Sequence, residues 1–96
     1  MVVAQVKYIG DLCNVVKEKF PDGGTSIRLV HSETGEPYAT ATIGGFFPNN
    51  PDIVVIKDYS ENKGMLGLLE EAKVVKHTGM VVETGLVASP ICKVLV

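Results

Sequence analysis

The chain has 96 residues, of which 46% are hydrophobic and 21% charged, with a formal net charge of −2. A length below the roughly 150 residues of a typical domain predicts a single domain over residues 1–96, and the composition is that of a globular chain. The longest aliphatic run covers residues 53–56, whereas a membrane helix needs about 20 apolar residues. The N-terminal residues MVVAQVKYIG lack a basic stretch before a long apolar one, so we expect neither a secretory signal nor a membrane location.

Charge and cysteine content exclude further classes. The chain has nine lysines and arginines and eleven acidic residues. This balance disfavours strong direct binding of nucleic acid, since such binding neutralises several phosphates. Arg28 is the only arginine. Cys13 and Cys92 fit no metal-ligand spacing, so we interpret them as reduced core residues of a cytoplasmic protein and expect no metal or cofactor.

The first quarter of the chain predicts two strands separated by turns. Residues 2–9 are rich in β-branched residues and form the first strand, followed by a turn at residues 10–11. Residues 13–20 alternate imperfectly, as an edge strand with outward lysines does, although a helix over residues 12–20 also fits the pattern. Residues 21–24 (PDGG) predict a turn, because proline fixes φ and glycine reaches positive φ.

Residues 25–32 and 37–43 predict a hairpin closed by residues 33–36. With a two-residue Thr34-Gly35 loop, the paired residues are His31 with Tyr38, Leu29 with Thr40, and Ile27 with Thr42. The opposite face then holds Arg28, Val30, Ala39, Ala41 and Ile43. A slip of one residue exchanges all of these partners.

The second half of the chain predicts a buried strand, one helix and a final strand pair. Residues 53–56 are apolar on both faces, as in a central strand covered on both sides. Ser60 is a good helix N-cap, and Met65, Leu68, Leu69 and Ala72 recur at helical spacing. They predict a helix over about residues 61–73, ended by the sequence HTG at residues 77–79.

Residues 80–96 carry the last one or two strands, interrupted at Gly85 and at Ser89-Pro90. The predicted fold class is therefore α+β, with a five- or six-stranded, mainly antiparallel sheet and one short helix packed on it. The apolar residues 91–96 are predicted to form a sheet edge that pairs with a second copy, which makes the chain a homo-oligomer.

The sequence offers little catalytic chemistry. It contains no G-x-S-x-G or H-E-x-x-H motif. Only His31 and His77 could serve Cys13 or Cys92 as a base, and nothing in their spacing places them together. We therefore predict a protein that is not an enzyme, with a thiol enzyme using His77 as the weakest of three hypotheses.

Binding is the function class that the residues favour. Phe46 and Phe47 lie in the loop GGFFPNN, where neighbours on extended backbone point opposite ways. One is then buried under the loop, and the other can anchor a partner or stack on a base. The remaining candidate residues for a ligand or partner are polar or aromatic: Arg28, His31, Tyr38, Lys57, Tyr59, Lys63 and His77. The alternative is that they are scattered surface residues.

The order of four segments resembles a family of small proteins of unknown function carried by bacteriophages and other mobile elements. The segments are TSIRLV, ETGEPYATATIGG, SENKGMLGLLEEAKVV and HTGMVVETGLVASPICKVL, and the resemblance covers residues 25–95. The matching positions are residues 35–39 (GEPYA), Asn62, Thr78-Gly79, Gly85 and Pro90. Leu86 stands where the family has an aromatic residue, and Met80 where a basic residue is common.

The resemblance implies an accessory protein that acts in the host cell cytoplasm. Such a protein would bind and inhibit a component of a bacterial anti-phage defence system, for example a CRISPR effector. The second hypothesis is a sponge that sequesters a nucleotide-derived immune signal. In it, phosphate is met by Arg28, Lys57, Lys63 or His77, and the base stacks on Tyr38, Tyr59, Phe46 or Phe47.

Overall fold

A computed structural model describes residues 1–96 and contains eight strands in two four-stranded antiparallel sheets, with one short α-helix. The strands are β1 (Val2–Tyr8), β2 (Asp11–Lys19), β3 (Thr25–His31), β4 (Pro37–Thr40), β5 (Thr42–Ile43), β6 (Ile53–Ile56), β7 (Val75–Thr84) and β8 (Val87–Val94). A 3-10 helix spans Ser60–Asn62, and the α-helix α1 spans Met65–Glu71. The broad α+β class is confirmed, whereas the prediction of one five- or six-stranded sheet is wrong.

The chain passes from one sheet to the other at Ala41. The first sheet has the order β1-β2-β3-β4 and the second the order β5-β6-β8-β7. The N–H of Ala41 donates to the carbonyl of Ile27 in β3, and its own carbonyl accepts from the N–H of Lys57 after β6, both at 2.8 Å. The backbone of this one buried residue is therefore hydrogen-bonded to both halves, and the predicted strand 37–43 is divided between the two sheets.

A β-bulge changes the predicted register of the β3–β4 hairpin. Leu29 pairs with Ala39, and Val30 pairs with Pro37, so Tyr38 is an extra residue on β4. The predicted pairing of Leu29 with Thr40 is wrong by one residue. Leu29 and Ala39 both pack in the core, so Ala39 does not share the face of Arg28 as predicted.

Two strands occupy different places in the sheets from those predicted. The strand interpretation of residues 13–20 is confirmed over the helix, but β2 lies between β1 and β3 and is not an edge. Likewise β8 lies between β6 and β7, so residues 91–94 cannot form the predicted edge. Pro90 lies one residue beyond the last β6–β8 pair, where no strand needs its missing N–H.

The turns after β1 and after β2 are each defined by their backbone conformation. The PDGG turn is confirmed by hydrogen bonds from Phe20 N–H to the Gly24 carbonyl (2.7 Å) and from Gly23 N–H to the Phe20 carbonyl (2.9 Å). The earlier turn consists of Ile9 and Gly10 rather than residues 10–11, with φ values of 51° and 79°. Two positive φ values are the geometry that matches the twist of a two-residue hairpin.

The helix is shorter than predicted; its N-cap residue is Gly64, and a side chain from outside the helix binds its first turn. Ser60 begins the 3-10 helix with a φ of 53° and does not cap α1. Instead, Asp58 Oδ1 accepts a hydrogen bond of 2.9 Å from the N–H of Leu66 in the first turn of α1. Seven residues are too few for a stable isolated helix, so burial of Met65 and Leu69 holds it in place. The sequence HTG does not end the helix, because it lies within β7.

One hydrophobic cluster of 14 buried residues joins both sheets to α1. It includes Val15 and Ile27 from the first sheet, Ile56 and Val75 from the second, and Leu69 from α1. Burying side chains of this size contributes about 1.5–3 kcal/mol each. Neither helix has the length and apolar character needed to cross a lipid bilayer.

Candidate functional site

An open cleft of about 610 Å³ lies between the strands β4 and β5 and the segment that follows β6. This volume is typical of sites for small ligands, which occupy about 300–1,000 Å³. The lining residues are Pro37, Tyr38, Ala39, Thr40, Thr42, Ile43, Lys57, Tyr59, Glu61 and Asn62. Three predicted site residues, Tyr38, Lys57 and Tyr59, therefore share one cleft.

Two polar residues of the cleft are buried, Thr42 and Asn62, and Asn62 has only 3% of its surface exposed. The 3-10 helix that it ends turns its side chain toward β4, where Nδ2 donates a hydrogen bond of 2.8 Å to the carbonyl of Thr40. This is the only hydrogen bond that the Asn62 side chain makes. Its Oδ1 accepts no hydrogen bond within the chain, so this oxygen retains acceptor capacity.

The charges in the cleft compensate each other. Lys57 Nζ lies 2.6 Å from Glu61 Oε1 and 5.6 Å from the centre of the Tyr59 ring. The hydrogen bond between the two charged groups raises the pKa of Lys57 and lowers the pKa of Glu61. The lysine ammonium is thus paired with a carboxylate, and a phosphate would have to compete with Glu61 for it.

Tyr38 is held in place by a polar contact across the first sheet. Its hydroxyl donates a hydrogen bond of 2.6 Å to Asp11 Oδ2, and this bond, followed by burial, raises the pKa of Tyr38 to about 12. The ring of His31 lies 5.8 Å from the Tyr38 ring. His31 Nδ1 accepts from the N–H groups of Glu33 and Thr34, so the imidazole stabilises the hairpin turn and packs beside Tyr38.

Three other predicted residues lie outside the cleft. Arg28 forms an ion pair with Glu18 of β2, with 2.5 Å between Nε and Oε1, and this contact lowers the pKa of Glu18. Lys63 is exposed after the 3-10 helix. His77 lies in β7, where its ring Nε2 is 3.2 Å from the carbonyl oxygen of Met80. The structure therefore does not assemble all of the predicted cations into one site.

The two phenylalanines of the loop differ in exposure. Phe46 is 38% exposed, whereas Phe47 is half-buried and lines a small cavity together with Phe20. Neither ring lines the cleft. A role for Phe46 as a partner anchor stays a prediction.

Both cysteines are fully buried. His77 lies opposite Cys92 in the β7–β8 register, which is the juxtaposition that a thiol enzyme would need. However, burial, with smaller effects of Glu70 and Asp58, raises the pKa of Cys92 to about 12. Burial and Asp11 also raise the pKa of Cys13. A thiol with such a pKa is protonated at neutral pH and is a weak nucleophile.

Sequence reasoning missed three groups that shape the cleft. Glu61 pairs with Lys57 four residues earlier, and this i,i+4 spacing is a signal that the sequence alone offers. Asn62 is one of the positions of the family resemblance, yet its buried amide depends on tertiary packing. Asp11 meets Tyr38 across 27 positions of sequence, and no local pattern indicates that contact.

A second surface of the molecule exposes large apolar side chains. The β7–β8 hairpin surface consists of Met80 and Val81, which are 60% and 55% exposed, and Leu86, which is fully exposed at the turn. It is separate from the cleft in its residues. No three His, Cys, Asp or Glu side chains lie close enough together to hold a metal ion.

Comparison of the chain with protein-family models, with curated proteins and with solved structures gave no match. The cleft and the β7–β8 hairpin surface are therefore interpreted from their own geometry.

Proposed function

We propose that the protein is a non-enzymatic accessory protein of a phage or mobile element. In this proposal it binds and inhibits a component of a bacterial anti-phage defence system, such as a CRISPR effector, in the host cytoplasm. The defence context derives from the resemblance over residues 25–95. The choice of binding over turnover is supported by the cleft, whose side chains suit recognition, and by the protonated, buried thiols.

The carrying observation is the compensated charge of the cleft. Its only cation and its only carboxylate are bound to each other, at 2.6 Å between Lys57 and Glu61. A protein segment presents neutral N–H and C=O groups together with apolar side chains. The free acceptor of Asn62 and the rings of Tyr38 and Tyr59 match such groups, and tyrosines are enriched at protein interfaces.

A nucleotide-derived immune signal is the alternative ligand. The observation that favours it is the position of Tyr38, Lys57 and Tyr59 in one cleft of about 610 Å³. A base could stack on a tyrosine ring there, and Lys57 could meet a phosphate. The cost is that Lys57 would have to leave Glu61, whose carboxylate repels a phosphate.

Co-elution with purified CRISPR effector complexes of the host tests the main proposal. We expect a stable complex, and we expect Tyr59→Ala to weaken it by at least about tenfold, as for a buried interface tyrosine. Leu86→Ala is the matched control, because Leu86 is fully exposed and does not line the cleft. A complex that Leu86→Ala weakens and Tyr59→Ala does not would move the binding site to the β7–β8 hairpin surface.

Thermal shift against cyclic nucleotides and ADP-ribose derivatives tests the alternative. A ligand that raises the melting temperature of the wild type but not of Tyr59→Ala, without any effector complex, would replace the main proposal by the sponge. If neither effectors nor nucleotides bind, both proposals fail.

A further inference from the structure

β7 is an outer strand of the second sheet, and only its first part is covered on the open side. The N–H of His77 donates a hydrogen bond of 3.1 Å to Glu70 Oε2 of α1. In an antiparallel pair, the N–H and C=O of one residue point to the same side of the strand. His77 therefore directs its main-chain groups away from β8, and the helix occupies this part of the edge.

The later part of β7 has main-chain groups that point outward without a partner. His77, Val81 and Glu83 lie opposite Cys92, Pro90 and Ala88 of β8. These three β8 residues are two positions apart, so their main-chain groups all point to the same side of β8, away from β7. The main-chain groups of Val81 and Glu83 therefore point away from β8, like those of His77. The missing N–H of Pro90 is consistent with this, because Pro90 could not donate to Val81. The outward groups of Val81 and Glu83 make no hydrogen bond within the chain.

We infer that this edge pairs with β7 of a second copy of the chain, antiparallel and with the two-fold axis at Val82. In this register, Val81 of each copy lies opposite Glu83 of the other. The two residues exchange N–H and C=O groups, so the pairing satisfies the outward main-chain groups of both copies with four hydrogen bonds. The inference is independent of the proposed function.

The charge of Glu83 selects this register over its neighbours. A two-fold axis at Glu83 would place two carboxylates directly opposite each other, which is destabilising. An axis at Val81 would place Glu83 opposite Gly79, in the irregular part of β7 that lacks regular pairing with β8. Only with the two-fold axis at Val82 does each Glu83 lie opposite an apolar residue, Val81 of the other copy. The outward main-chain groups of both residues are then hydrogen-bonded.

The exposed side chains of the edge favour the same occupant. Val81 is 55% exposed in one chain, and pairing about Val82 places it opposite Glu83 and diagonal to Val81 of the other copy on the same face of the joined sheet. Met80, which is 60% exposed, then lies opposite Thr84 of the other copy. Edge strands of this kind are a template for another strand. A closed two-fold pair uses the edge completely and leaves no further strand to add.

Sedimentation equilibrium of the full chain over a concentration series tests the inference. We expect a reversible dimer. Val81→Pro removes an outward N–H that β8 does not use, so each dimer loses two hydrogen bonds and its dissociation constant rises by at least about tenfold. Val81→Thr keeps the N–H and a β-branched side chain, and it should dimerise like the wild type. A wild type that stays monomeric up to about millimolar concentration, or a Val81→Pro chain that dimerises equally well, overturns the inference.

Amide hydrogen exchange of the wild type provides a second measurement that needs no variant. If β7 pairs with β7, exchange of the Val81 and Glu83 amides slows as the protein concentration rises. The exposed turn amide of Leu86 is the internal control and should keep its rate. Exchange of all three amides that is independent of concentration contradicts the pairing, even if Val81→Pro does not fold.

Discussion

The hydroxyl of Tyr38 and the carboxylate of Asp11 are joined by a hydrogen bond of 2.6 Å that passes over β3. It links one wall of the cleft to the start of β2, and it requires the phenol to be protonated. The pKa of Tyr38 is accordingly raised from its ordinary value near 10 to about 12. The contact makes stability depend on pH in the alkaline range.

The stabilisation from this contact should be lost at high pH. A group whose pKa is higher in the folded state contributes its full stability below the unfolded pKa, near 10, and loses it as pH rises through about 12. Urea unfolding between pH 8 and pH 12 should therefore show a steeper fall for the wild type than for Tyr38→Phe. Tyr59→Phe, which removes a hydroxyl without a hydrogen bond, should follow the wild type. Parallel curves for the wild type and Tyr38→Phe would contradict the role of the bond.

Removal of the Asp58 carboxylate should destabilise the protein. Asp58 Oδ1 satisfies the Leu66 N–H in the first turn of α1, and loss of such a cap costs about 0.5–2 kcal/mol. We expect Asp58→Ala to lower the free energy of unfolding in urea by about 1 kcal/mol. Asp52→Ala is the control, because the Asp52 side chain is exposed and makes no hydrogen bond. Equal stability of the two variants would mean that Asp58 does not cap the helix.

Ile9→Asn should stabilise the protein. Ile9 adopts a φ of 51° in the β1–β2 turn and is 74% exposed, so it has a strained backbone and little burial to lose. Asparagine followed by glycine is the favoured pair for a two-residue hairpin turn with positive φ. We expect a gain of about 1 kcal/mol in the free energy of unfolding. Ile9→Val keeps the β-branched side chain and should show no gain. A neutral or destabilising Ile9→Asn would disprove the strain.

Alanine should have opposite effects at two glycines. A Cβ at Gly67 meets no atom within 4 Å, and the residue lies inside α1, so Gly67→Ala should add about 0.5–1 kcal/mol. A Cβ at Gly23 would lie 2.5 Å from Asn49 Oδ1, on a backbone with a φ of +88°, so Gly23→Ala should lose about 1–3 kcal/mol. Thermal and urea unfolding measure both changes. The same sign for both variants would show that the local backbone does not control their stability.

The parts of the fold that were predictable are those fixed by local chemistry. The PDGG turn follows from the backbone limits of proline and glycine, and the buried face of α1 follows from the spacing of Met65 and Leu69. The central position of β6 was visible because residues 53–56 are apolar on both faces. In each case the signal lies within about ten residues.

The parts of the fold and the cleft that were not predictable depend on single residues whose roles are set by contacts with other elements of the structure. Tyr38 is an extra residue on β4, and nothing in the alternation of residues 37–43 marks it as a bulge. Ser60 is a residue type that commonly caps helices, but it begins the 3-10 helix instead. The first turn of α1 is therefore hydrogen-bonded by the side chain of Asp58. In the cleft, the aromatic and basic residues were recognisable by type. The neutralising Glu61 and the buried Asn62 became evident only with the surrounding elements in place.

The position of Ala41 has a consequence for how the molecule opens. Its N–H and C=O, which belong to two adjacent peptide groups, bind Ile27 and Lys57 at 2.8 Å each, so one residue is hydrogen-bonded to both halves of the structure. Neither half can detach as a subglobal foldon while these two hydrogen bonds stay intact. The chain is thereby built to lose its structure in one cooperative step, and the amides of Ala41 and Lys57 should exchange only through global unfolding.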